Sequence, residues 1–210
     1  MQNQQEILSI MLNRLLKLSK TTVLFTLALI LSVTSLATLI APTAMAYPGQ
    51  LDQTFQTNLG SGFDNGIVSI TAIQSDGKIL VGGDFTSFNG NTQDHRLIRL
   101  NSDGSKDTTF NLGATGFDNN GVYTISLQSD GKILIGGTFT SFNGNTQDHR
   151  LIRLNSDGSK DTTFNLGATG FDNNGVYTIS LQSDGKILIG GTFTSFNGNT
   201  QDHRLIRLNS

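Results

Sequence analysis

Oxygen-bearing side chains recur at alternate positions in Asn101-Ser-Asp103-Gly-Ser105-Lys-Asp107 and again in Asn155-Ser-Asp157-Gly-Ser159-Lys-Asp161. That spacing around a glycine is what calcium loops use, so Asp103, Asp107, Asp157 and Asp161 are the metal-ligand candidates. Three features weaken the assignment. The leading carboxylate is missing, the glycine comes too early, and no bidentate Glu follows, because Glu6 is the only Glu in the chain. The competing reading is an Asp-Gly hairpin turn running into a polar strand start.

Histidine offers less. His95, His149 and His203 each fall in Thr-Gln-Asp-His-Arg. One loop histidine per copy is what duplication leaves behind, whereas zinc needs three or four converging ligands. They are expected to be surface histidines. Asp148-His149 with a serine suggests an acyl-transfer triad, but a triad is a single positioned constellation and no Gly-x-Ser-x-Gly turn exists. No catalytic residue is therefore expected, and no cofactor. Arg96, Arg150 and Arg204 form one possible basic row, with Arg99, Arg153 and Arg207 on the other strand face. The ordinary expectation for them is a solvated edge paired with Asp94, Asp148 and Asp202.

All of these candidates come in copies. Residues 101–154 and 155–208 are the same string, and residues 47–100 are a diverged copy in register. Gln-Ser-Asp-Gly-Lys-Ile-Leu starts at Gln74, Gln128 and Gln182. A period of this size marks a propeller or solenoid, in which no unit buries its apolar face alone. Residues 209–210 start a further unit.

Each copy reads as strands. In the second, Val122–Gln128 alternates, placing Tyr123, Ile125 and Leu127 on one face and Val122, Thr124 and Ser126 on the other. Asp130-Gly131 predicts a tight hairpin of type I′. Residues 132–139 follow, with Gly136-Gly137 marking a bulge or a close backbone approach. After a long polar loop around Asn143-Gly144 come a third strand at residues 150–155 and a weak fourth at Asp161–Phe164. No run outside the N-terminal segment has helical periodicity. The expected fold is all-β: tandem four-stranded antiparallel blades of a β-propeller, in an incomplete arc of about three. A β-helix is the runner-up.

Residues 1–46 read as a signal peptide. Arg14, Lys17 and Lys20 precede an uncharged run at residues 21–40, and Ala44-Met-Ala46 supplies a cleavage site. Met11 is an alternative start, and an uncleaved anchor is the rival reading. The whole chain has a formal charge of −2 and no cysteine. Thiol chemistry and disulfides are excluded, and nothing points to nucleic acid.

Gln-Ser-Asp-Gly-Lys-Ile-Leu-Val-Gly-Gly-Asp-Phe (Gln74–Phe85), Phe88-Asn-Gly, and the run Arg96–Phe110 resemble the delta-60 repeat family, a class of bacterial exported or surface repeats. The resemblance covers essentially residues 51–210. It implies a β-propeller fold and a secreted, periplasmic or cell-surface location. It lends no catalytic residues.

The expected function is a non-enzymatic exported module presenting loops to a protein or polysaccharide ligand. It would have no membrane contact once the leader is removed. The alternatives are a Ca²⁺- or ligand-binding propeller and an enzyme sited in a propeller channel. Three units are not expected to close a ring, so the chain is expected either to be a fragment of a longer propeller or to self-associate through the blade end faces, which would expose Ile79, Leu80, Leu151 and Ile152 and their last-copy equivalents.

Overall fold

The computed structural model describes residues 48–210 except Asn119, Ala168 and Asn173, together with Ser9, Ile10 and Asn13. Apart from those last three residues, the expected leader and its cleavage site lie outside the described residues. Among those described, no helix is long and apolar enough to cross a membrane.

Residues 51–210 form one compact unit. Its first element is a short helix, α1 (Gln53–Leu59), which the strand patterning does not anticipate. Asp52 caps it by accepting from the backbone N–H groups of Thr54 and Phe55, so a local side-chain bond, not periodicity, starts the turn.

Among the described residues eleven strands follow: β1 (Phe63–Asp64), β2 (Val68–Ile73), β3 (Ile79–Gly83), β4 (Ser87–Phe88), β5 (Leu97–Leu100), β6 (Val122–Leu127), β7 (Ile133–Gly137), β8 (Leu151–Leu154), β9 (Val176–Leu181), β10 (Ile187–Gly191) and β11 (Leu205–Leu208). They make three antiparallel three-stranded sheets, β2-β3-β5, β6-β7-β8 and β9-β10-β11, and a small β1-β4 ribbon. Each sheet is one blade.

The expected fourth strand is reduced to isolated bridges, Leu100 to Lys106 and Leu154 to Lys160. The reason lies just beyond. Asp107 accepts from the N–H and hydroxyl of Thr109, so its own side chain turns the chain where a ladder would continue. Asp161 does the same with Thr163.

The Asp-Gly turn is not of the expected type. At Asp130-Gly131 only the glycine has positive φ, +85°. Gly131 N–H donates to Gln128 O and Gln128 N–H to Lys132 O, which is a three-residue loop with a left-handed glycine. Asp130 Oδ1 accepts the Lys132 N–H and stabilises it. The type I′ geometry sits instead at Asn143-Gly144, with φ of +49° and +76°, closed by reciprocal bonds between Phe142 and Asn145.

A bulge also revises the facing of the first strand. The β6–β7 register shifts between Val122 and Thr124, leaving Tyr123 extra. One extra residue inverts the alternation. Val122 therefore joins Ile125 and Leu127 in one apolar cluster, while Tyr123 packs on Tyr177 at 5.7 Å.

That cluster is the joint between blades. Leu80 and Leu97 of the first blade pack with Val122, Ile133, Ile135, Ile152 and Leu154 of the second. Leu134 and Leu151 of the second pack likewise with Val176, Ile187 and Ile189 of the third. The glycine pair makes the approach possible. A Cβ on Gly136 would lie 2.7 Å from Val176 Cγ1, and one on Gly82 would lie 2.8 Å from Val122 Cγ1. A phenylalanine trio pins each outer loop, fully buried in the second copy, with Phe117 4.8 Å from Phe139 and 5.0 Å from Phe142.

Candidate functional site

Four of the six arginines are structural and not part of a solvated row, whereas Arg204 and Arg207 are exposed as expected. Arg96, Arg99, Arg150 and Arg153 are all buried. Arg99 Nε donates to Asp107 Oδ2 at 2.7 Å, and the guanidinium lies over the Phe110 ring at 4.5 Å. It also donates to Gln74 Oε1 and to Ser156 O in the second blade's turn. Arg153 repeats this with Asp161 at 2.8 Å, Phe164 and Gln128. Arg96 caps the carbonyls of Asp84, Phe85 and Asp118. The carboxylates expected to face these arginines pair elsewhere, Asp94 with Lys106 at 2.6 Å and Asp148 with Lys160 at 2.7 Å.

The four calcium candidates have committed oxygens. Asp103 Oδ1 accepts the N–H and hydroxyl of Ser105, and Asp157 Oδ1 does the same with Ser159. Asp107 is held between Arg99 and Lys78, whose Nζ lies at 2.9 Å. Burial alone pushes the Asp107 carboxyl up, but bonds from Thr109, Lys78 and Arg99 outweigh it and leave the group well below the usual carboxylate range. For Asp161 burial likewise raises the carboxyl, and bonds from Thr163 and Arg153 reverse it. Among the described residues no cluster of three His, Cys, Asp or Glu side chains is placed to hold a metal.

The histidines clasp the next repeat. His95 Nδ1 faces Thr92 O at 2.8 Å and Nε2 faces Phe117 O at 2.9 Å. His149 faces Thr146 O and Phe171 O, both at 2.7 Å. Both are half-buried, which corrects the surface reading, and His149 sits at carbonyls, not at a serine hydroxyl. Only His203 is exposed.

One space open to a ligand is a cleft that sequence patterning does not single out. Gln93, Asp94, His95, Lys106, Phe110 and Leu112 line a space of about 160 Å³. The equivalent cleft, with Gln147, Asp148, Lys160, Phe164 and Leu166, measures about 260 Å³. Both fall below the roughly 300–1,000 Å³ of a pocket that engulfs a drug-sized ligand. The rim is the loop tip. Asn143 fixes it by accepting from Thr115 and Gly116 N–H and donating to Leu112 O. The tip residues at 89–93, 143–147 and 197–201 are exposed in all three copies. The only sequence sign of the cleft is the constant spacing of Asp94 and Lys106, which folding turns into an ion pair.

The family model described as "Domain of unknown function (DUF5122) beta-propeller" matches residues 74–110, 128–164 and 182–210. No curated protein matches the chain.

Proposed function

We propose that the chain, three stretches of which match the DUF5122 beta-propeller family model, is a non-enzymatic, exported module that binds through its repeated loops. The observation that carries this reading is the recurrent cleft beside an exposed Asn-Gly-Asn-Thr-Gln tip. Its size suits an edge or a single hydroxyl-bearing group of a larger ligand. Its wall carries the ion pairs Asp94–Lys106 and Asp107–Arg99, together with the apolar Phe110 and Leu112. That mixture fits a neutral polysaccharide, whose rings offer hydroxyls to polar groups and C–H faces to apolar ones. Each site is weak. Several in one chain gain by avidity, because after one engages the next binds intramolecularly.

The test is retention on insoluble polysaccharides, cellulose and peptidoglycan among them, of the wild type and of Gln147→Ala alone and with Gln93→Ala and Gln201→Ala. Stepwise loss with each substitution is expected. Release that is unaffected by all three substitutions, or absence of retention on any matrix, would overturn the reading. Export is checked separately by N-terminal sequencing of secreted material, which should begin at Tyr47.

A further inference from the structure

Tyr123 and Tyr177 are two of the three tyrosines in the chain. They hold the same position in the two identical copies. In each copy the tyrosine is the residue that a bulge adds to the first strand of its blade. The β6–β7 register skips Tyr123, and the β9–β10 register skips Tyr177 between Val176 and Thr178. A bulge of this kind re-aims a side chain. β6 and β9 are edge strands of neighbouring blades and lie against each other. The two re-aimed rings therefore meet, with centroids 5.7 Å apart and planes inclined by 32°.

The seat of each ring is built for it. A Cβ on Gly121 would stand 2.6 Å from Tyr123 Cζ, and one on Gly175 would stand 2.8 Å from Tyr177 Cζ. Only glycine leaves the ring that room. The first copy lacks both halves of the arrangement, with Ile67 in place of the glycine and Ser69 in place of the tyrosine. The rings are also open to small reagents. Tyr177 is 43% exposed, and Tyr123 is partly exposed.

We propose that Tyr123 and Tyr177 are an oxidative cross-linking site, where the two rings couple to dityrosine and tie the second blade to the third. The oxidant is hydrogen peroxide activated by a haem peroxidase. It takes one electron from each phenol, and each hydroxyl loses its proton. The two phenoxyl radicals pair their electrons in a carbon–carbon bond between the ring carbons beside the hydroxyls. Each of these carbons then gives up its hydrogen as its oxygen regains one, which restores both phenols. In sum the two tyrosines lose two protons and two electrons, and one peroxide becomes two waters. Rings already in contact need only a change of side-chain torsion to bring those carbons together. Exposed side chains make such changes in picoseconds to nanoseconds, whereas coupling between chains waits on diffusion. The chain has no cysteine, so this bond supplies a covalent staple that a disulfide cannot.

The test is treatment of the dilute full chain with a haem peroxidase and hydrogen peroxide, followed by intact mass and peptide mapping. The chain should lose the mass of two hydrogens, gain dityrosine fluorescence and yield one cross-linked peptide pair containing Tyr123 and Tyr177. Tyr123→Phe and Tyr177→Phe keep the ring and lose the hydroxyl, and neither should give the product. The bond closes a loop of one repeat in the unfolded chain, so the coupled protein should melt roughly ten degrees higher. Coupling only between chains, coupling through Tyr47, a product that persists in either Phe variant, or no product under conditions that couple free tyrosine would each overturn the proposal. So would a coupled chain that melts with the untreated one.

Discussion

Arg99 and Asp107 form an ion pair that is 5% and 4% exposed, with Nε and Oδ2 2.7 Å apart. The pair ties the last strand of a blade to the segment that leaves it. Arg99 also reaches Ser156 O, so one guanidinium joins strand, linker and next blade. Removing one partner of a buried pair leaves the other charge uncompensated, at a cost of about 3–5 kcal/mol. Asp107→Asn is expected to destabilise at the lower end of that range, because Arg99 keeps Gln74 and Ser156 O. Urea denaturation of both forms measures it, and a loss below about 1 kcal/mol would show that the pair is not holding the joint.

Acid should act through the same carboxylates. Asp107 and Asp161 are shifted down in the folded chain. A depressed carboxylate contributes stability that is fully present above its unfolded value, about 3.9, and is lost as pH falls from there toward the folded value. The melting temperature should therefore be level from neutral pH to about pH 5 and fall below about pH 4. Asp107→Asn should flatten that fall. A variant whose acid limb matches wild type would remove Asp107 as a cause.

Gly131 turns the hairpin between β6 and β7 at φ +85°. A β-branched side chain tolerates that conformation poorly. Gly131→Val should cost about 2 kcal/mol, whereas Gly131→Asn should cost less, since Asn enters the left-handed region more readily. Equal losses for the two would argue that the backbone conformation is not the cause.

Gly136 serves a different purpose. Its φ is ordinary, and the constraint is space, since a Cβ would meet Thr124 Cγ2 at 2.6 Å and Val176 Cγ1 at 2.7 Å. Gly136→Ala should destabilise by about 1–3 kcal/mol through overpacking between blades. Combining it with Val176→Ala should recover part of that loss relative to Val176→Ala alone. Strictly additive effects in this cycle would mean that the two blades do not meet at this point.

The repeat, the strand positions and the absence of thiol chemistry were readable from the sequence alone, because duplication, alternation and composition are local properties. Asp-Gly and Asn-Gly were legible as turns, since both rest on a left-handed residue. Which of the two takes the type I′ form was not legible, because loop length depends on the strand pairing around it. The facing of Val122 was hidden for a related reason. A one-residue bulge at Tyr123 inverts the alternation, and only the partner strand reveals it. The candidate chemistry fared least well. Arg96 and Arg99 read as solvent-facing charges, yet they are buried by a neighbouring blade whose contact comes from residues far along the chain. The cleft at Asp94 and Lys106 is likewise assembled from segments that only tertiary folding brings together. Identical repeats also conceal their own ends. Leu97, Leu151 and Leu205 sit in near-identical sequence, and only the stacking of blades decides that two are buried and the third is left exposed.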